Sequence, residues 1–240
     1  MNFEIGMPHL NYNGLDPVWL SKTLAENHWA FLKKISTINE QNQRLYASVF
    51  ALEIDFGEGQ DSFKEFDNAE IISKIYKFNN QIYRSKHAIC CTGNTANAIV
   101  DTIFVKKDLN SNILIRDTPL QNSTVFENTS ITFSSEHKEI KKKYIDIQNK
   151  EDYKDLLFSP EAYFNGVRIL YFANYINLVY LSEHLTFNKI QSSIKKIKIF
   201  FFSNITPEDK IYGLTIKKNN IYETVLRSDE RIIAHCLITR

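Results

Sequence analysis

Residues 16–34 carry apolar side chains at helical spacing, with Trp19, Leu20, Leu24, Ala25, Phe31 and Leu32 on one stripe and His28 beside it. Asp16 can cap this helix and Pro17 takes its first position. A polar stretch, STINEQNQ, separates it from RLYASVFALEID at 44–55, which reads as a strand. Leu45, Ala47, Val49 and Ala51 fall on one of its faces, and Tyr46, Ser48, Phe50 and Leu52 on the other. Apolar groups on both faces predict burial on both sides. GEGQDS at 57–62 reads as a turn. Residues 73–91 read as two strands about a turn at Asn79–Asn80, and AIVDTIFVKKD at 98–108 as a further strand. The pattern fades between 106 and 160. There HKEIKKKYIDIQNKEDYKD predicts a charged helix or arm, ordinarily a solvated linker and alternatively a docking strip for an acidic partner.

The order then repeats. Residues 163–185 read as strand then helix, followed by strands at 195–205, 209–219, 220–229 and 231–240. The last two form a hairpin through Ser228-Asp229-Glu230. Each half therefore holds one substantial helix and a run of strands, which is the pattern of a duplicated α+β unit. The expected units are 1–110 and 161–240, joined by a polar segment at 111–160. An antiparallel sheet that curls can wrap its helix, and two such sheets side by side make one long sheet with two helices inside. That arrangement is a double hot-dog.

Composition narrows the function without naming it. Of 240 residues 43% are hydrophobic and 24% charged, which argues against disorder. The formal net charge of +1 gives no global reason to expect a nucleic-acid partner. The opening MNFEIGMPHL does not read as a signal peptide, and no apolar run reaches the roughly 18 residues of a membrane helix. Cys90, Cys91 and Cys236 form no metal-type spacing and no obvious disulfide, so the expectation is a reduced cytoplasmic chain without a structural metal. Seven glycines and no GxxxxGK[ST] or GxGxxG motif count against nucleotide-cradling folds.

MPHL at 7–10, Gly14-Leu15, Trp19-Leu20 and His28-Trp29 resemble the opening of a bacterial biosynthetic family typified by the leinamycin-pathway acyltransferase/decarboxylase. RLYASVFALEI at 44–54, FNGVRILYFANY at 164–175 and RSDERIIAHCLITR at 227–240 resemble its later signatures. The resemblance implies a double hot-dog enzyme of polyketide-type biosynthesis. Such an enzyme decarboxylates a malonyl- or methylmalonyl-CoA thioester and passes the acyl group to an acyl carrier protein. It needs no cofactor beyond the coenzyme A thioester that is its substrate, and it allows a homodimer. Tyr46 matches the family's active-site tyrosine. A phenol ordinarily titrates near 10, so a nucleophilic Tyr46 needs activation, for which His9 is the nearest base by motif; otherwise Tyr46 donates a hydrogen bond.

Other candidates come from the residues themselves. Asp101 and Thr102 interrupt an apolar strand, where an unpaired carboxylate is costly, so Asp101 faces solvent or serves the substrate. Asn165, before Gly166, is either a turn residue or a pantetheine contact, and Asn174 either a helix cap or a substrate ligand. Lys195, Lys196 and Lys198, or Lys141–Lys143, are candidates for coenzyme phosphates, although solvated faces are the ordinary reading. The competing functions are another hot-dog thioester enzyme, a thioesterase or dehydratase, and a non-catalytic carrier-binding protein.

Overall fold

The computed structural model describes residues 1–35, 37–107, 114–120, 126–144, 152–165, 168–189, 191–229 and 231–240. Three short strands, β1 (Asn2–Glu4), β2 (Leu10–Asn11) and β3 (Gly14–Leu15), precede helix α1 (Pro17–Leu32). Four long strands follow: β4 (Tyr46–Asp55), β5 (Asn68–Lys77), β6 (Ile82–Cys91) and β7 (Asn94–Lys107). The middle of the chain supplies β8 (Leu114–Arg116), β9 (Glu127–Asn128), α2 (Ser134–Tyr144), β10 (Lys154–Asp155) and the single turn α3 (Pro160–Tyr163). Helix α4 (Asn174–Phe187) then leads into β11 (Lys196–Phe201), β12 (Tyr212–Lys218), β13 (Ile221–Arg227) and β14 (Ile232–Thr239).

Local chemistry accounts for the ends of these elements. The Asp16 carboxylate accepts from Val18 N at 3.0 Å and Trp19 N at 3.3 Å, so α1 starts where the sequence places its cap. Helix α4 stops at Asn188, which turns left-handed (φ 47°) and returns its N–H to the His184 carbonyl. The β5–β6 turn is held by the Asn79 side chain, which accepts from Gln81 N and Ile82 N, each at 2.8 Å. Gly14 lies at φ +117°, and a Cβ there would sit 2.2 Å from the Gln60 carbonyl oxygen, so the β2–β3 turn can close against residue 60 only with glycine.

One large sheet joins both halves, with main path β1-β5-β6-β7-β4-β11-β14-β13-β12-β10. Every pair along that path is antiparallel. Read outward from the central β4–β11 pair, the order is the same on both sides: β7, β6, β5, β1 one way and β14, β13, β12, β10 the other. Helices α1 and α4 touch each other and share a core with one sheet face, including Leu20, Leu24, Ile176, Val179, Leu52, Ile199 and Cys236. The class is α+β, as the sequence predicts.

Three expectations are corrected. A β-bulge between Val49 and Ala51 shifts the β4 register, so the strict alternation read from the sequence fails. Val49 joins the helix-side core and, beyond the bulge, so do Leu52 and Ile54, while Ala51 is buried outside it and Phe50 turns to the opposite face beside Ile82, Ile103 and Val105. Among the described residues of 163–172 no strand forms. The Asn165 side chain accepts from Ile169 N at 3.1 Å, Arg168 adopts φ 60°, and Phe164 and Leu170 meet in an isolated antiparallel bridge. Residues 145–151 of the charged segment lie outside the described residues, but its start is no solvated linker. α2 lies on the sheet face opposite α1 and α4, with His137 buried and bonded to the Phe201 carbonyl at 2.8 Å. Phe133, His137, Ile140 and Tyr144 recur at helical spacing, a stripe obscured by the surrounding lysines. The connecting segment also feeds both halves, because β8 and β9 pair with β7 and β5 while β10 pairs with β12.

Candidate functional site

A cavity of about 510 Å³ opens where the two halves meet, within the range of small-molecule sites. The end of α1, the first half of β4, the end of β7, and Asn165 with residues 169–172 before α4 form its walls, with Phe201 and Asn204 completing them from the second half. The polarity is graded. Buried Leu32, Leu45, Val49, Phe104, Leu170, Phe172 and Phe201 line its inner part, whereas Lys33, Thr37, Arg44, Lys107 and Asn165 are exposed or half-exposed at its edge. Such a space takes up hydrocarbon and leaves charge at the mouth.

Three cations meet at that edge. No ion pair among the described residues involves Lys33, Arg44 or Lys107, and no carboxylate, imidazole or thiol belongs to the described lining. Three cations without an ion-pair partner among the described residues make this edge suited to a phosphate or another anion. Of the six lysines singled out from sequence, none lines the cavity, and three are engaged in ion pairs elsewhere. Lys196 pairs with Glu53 at 3.0 Å, Lys198 with Glu136 at 2.6 Å, and Lys143 with Glu223 at 3.6 Å.

Tyr46 stands on the first residue of β4 and lines the cavity at 37% exposure, with the Arg44 guanidinium 5.3 Å from its ring centre. Tyr171 and Tyr175 also line it. Burial pushes the Tyr171 phenol up to about 12 and raises Tyr175 further, so both stay protonated near neutrality. Tyr175 donates to the Ser203 carbonyl at 3.1 Å, and the Tyr171 and Phe172 rings pack against Trp29 on α1.

Of the sequence candidates, the cavity gathers Tyr46 and Asn165 and leaves out the other four. His9 packs on Trp19 with ring centres 4.4 Å apart, and its Nδ1 accepts from Gly6 N at 2.9 Å; it is a turn residue, not a neighbour of Tyr46 on the cavity wall. Asp101 is fully buried yet neither faces solvent nor lines the cavity. It binds Arg84 through two 2.7 Å contacts and accepts from Phe133 N at 2.9 Å. Arg84 and Asp101 face each other across β6 and β7, so the strand register supplies the partner that the sequence left unnamed. Thr102 points the other way, to His28. Asn174 begins α4 without capping it, and its amide donates to the Tyr163 carbonyl at 2.8 Å, tethering the loop that forms the cavity wall.

Behind the cavity lies a group the sequence reading missed. Thr102 Oγ1 meets His28 Nε2 at 2.8 Å, and His28 Nδ1 meets Ser85 Oγ at 2.7 Å. Ser85 Oγ meets His87 Nε2 at 2.7 Å, and His87 Nδ1 meets Ser73 Oγ at 2.7 Å. With both imidazoles neutral, each donates once and accepts once along this chain. Burial drives His28 down to about 3, with His87 adding to it, and drives His87 down to about 4. Ser73, Ser85 and His87 alternate on the helix-facing sides of their strands, and His28 lies near the apolar stripe of α1; that spacing was the available signal.

No protein-family model matches the chain, and no curated protein matches it. Solved structures do. An acyl-ACP thioesterase from Bacteroides thetaiotaomicron aligns with TM-score 0.69 at 10% identity, covering 100% of this chain and 96% of that one. A 12:0-ACP thioesterase from Umbellularia californica gives 0.68 at 9% identity, covering 100% and 95%. HtdX from Mycobacterium tuberculosis gives 0.56 at 5% identity, covering 96% and 90%. At such identities the likeness is one of fold, and the fold is of the hot-dog kind: a large antiparallel sheet with few helices.

Proposed function

We propose that this chain is an enzyme of acyl thioesters on a double hot-dog scaffold, with one curled sheet wrapping α1 and the other α4. The observation that carries this reading is the graded cavity. An acyl chain buried among Leu32, Val49, Phe104 and Phe201 gains about 0.8 kcal/mol per methylene, so six methylenes contribute roughly 5 kcal/mol. The thioester then lies near Tyr46 and Asn165, and a phosphopantetheine phosphate reaches Lys33, Arg44 and Lys107. Coenzyme A and an acyl carrier protein both present that phosphate, so either fits as donor. Two of the structural relatives named above are acyl-ACP thioesterases, which supports thioester chemistry on this scaffold.

A second reading, decarboxylating acyl transfer as in the leinamycin-type family, has a specific observation in its favour. The described lining offers no carboxylate or imidazole to activate water, but it does offer the Tyr46 phenol. In that reading the enolate left by decarboxylation is held by Tyr46 and the Asn165 region, and Tyr46 is acceptor or donor.

The test is incubation with octanoyl-CoA and with methylmalonyl-CoA, each with and without a carrier protein, followed by mass analysis. Free acid and coenzyme A are expected for hydrolysis. Propionyl-CoA or propionyl-carrier is expected for the second reading, with Tyr46→Phe abolishing transfer. Full-rate transfer by Tyr46→Phe removes the tyrosine from the mechanism, and no turnover of any thioester rejects the enzyme reading.

A further inference from the structure

The sheet's internal symmetry allows the cavity's counterpart in the second half to be located. Leu52 and Ile199 pair at the centre of β4–β11. Leu52 faces Val100 and then Ser85; Ile199 faces Cys236 and then Thr224. Ser85 and Thr224 therefore correspond, and both sit in buried polar seams beneath a helix. His28 of α1 reaches Ser85, while Ser182 of α4 reaches Thr215 at 2.8 Å, which meets Thr224 at 2.9 Å. Two residues before each seam come Tyr83 and Tyr222. Four residues beyond Val100 and Cys236 come Phe104 and Arg240. Glu183 follows Ser182 as Trp29 follows His28.

Trp29 and Phe104 both line the open cavity. Their counterparts, Glu183 and Arg240, form a buried ion pair in the second half. The Arg240 guanidinium also donates to the Ser192 carbonyl and lies 5.2 Å from the Tyr222 ring centre, where Phe104 in the first half packs edge-on to Tyr83 at 5.5 Å. The fit is incomplete. Among the described residues, Glu183 Oε1, Arg240 Nε and the nearby Tyr180 hydroxyl are buried without a hydrogen-bond partner. A region filled by apolar packing would strand no such atoms, and burying them is costly.

We propose that Glu183 and Arg240 seal a second hydrocarbon seat, equivalent to the open one, so that the duplicated scaffold holds one acyl chain instead of two. The seat would take an unbranched acyl tail, the ligand class proposed for the open cavity, and this inference rests on that reading. Removing either charge alone strands the other, so the pair must be removed together.

The experiment titrates cis-parinaric acid into the purified chain and reads stoichiometry by fluorescence and calorimetry. The wild-type chain binds one equivalent. Ala47→Trp, which fills the open cavity, binds none. Glu183→Ala with Arg240→Ala binds two, and Glu183→Ser with Arg240→Ser, whose hydroxyls can pair, does the same if the alanine pair impairs folding. Two equivalents in the wild type, one retained by Ala47→Trp, or one in a folded double variant overturns the sealed seat. A wild-type chain that binds none beside a double variant that binds one rejects the acyl reading of the open cavity and upholds the sealed seat. No binding by either overturns both.

Discussion

Asp101→Ala destabilises the chain by about 3–5 kcal/mol, because it leaves the Arg84 guanidinium buried without its counter-charge. Arg84 is 2% exposed and Asp101 is 0% exposed, so neither group regains water when the other is lost. The Arg84 guanidinium lies 4.5 Å from the Phe133 ring centre, and Phe133 N donates to the same carboxylate, so the damage extends to the start of α2. Arg84→Met with Asp101→Leu is expected to be close to wild type, because a packed apolar pair removes the desolvation cost together with the attraction. Chemical denaturation of the three chains checks this. A loss below about 1 kcal/mol for Asp101→Ala would show that the pair is solvated and that α2 does not cover it.

The second large effect is on pH. His28 and His87 both titrate far below the usual histidine value near 6.5 in the folded chain and regain that value on unfolding. The unfolded state therefore binds more protons as pH falls. The stability these groups contribute is complete above about pH 6.5 and is lost as pH drops toward about 4 for His87 and about 3 for His28. With both sites contributing, the slope reaches about 2.7 kcal/mol per pH unit. Ordinary carboxylates titrate mainly below this window, and His137 and His235, which burial also holds low, add to the loss between about pH 6 and about pH 5. His87→Asn should lower stability at neutral pH and flatten that slope. Urea midpoints unchanged across the window would mean that the Thr102–His28–Ser85–His87–Ser73 chain is open to water.

Much of the framework was legible because its signals are local. Asp16 and Pro17 mark the start of α1, Asn79 marks the β5–β6 turn, and the four closing strands lie where alternation places them. The bulge at Phe50 was not legible, since one extra residue in a strand leaves the composition of both faces apolar. α2 was misjudged because its lysines mask the stripe that packs it on the sheet. The site divides in the same way. Tyr46 was found by motif and Asn165 by its place before Gly166, and both reach the cavity, 119 positions apart in the chain. Asp101, Thr102 and His28 carry unusual chemistry for their surroundings, but that chemistry serves partners 17 to 74 positions away. An isolated strand cannot say whether a buried polar group faces substrate or a neighbouring strand; only the register decides it.

The cationic mouth offers the most direct measurement. A chain carrying Lys33→Gln, Arg44→Gln and Lys107→Gln should bind octanoyl-CoA about a hundredfold more weakly, at roughly 1 kcal/mol per exposed contact. Its affinity for the phosphate-free octanoyl-N-acetylcysteamine thioester should stay as in the wild type. Equal weakening of both ligands, or of neither, would contradict a seat that grips phosphate at its rim and hydrocarbon within.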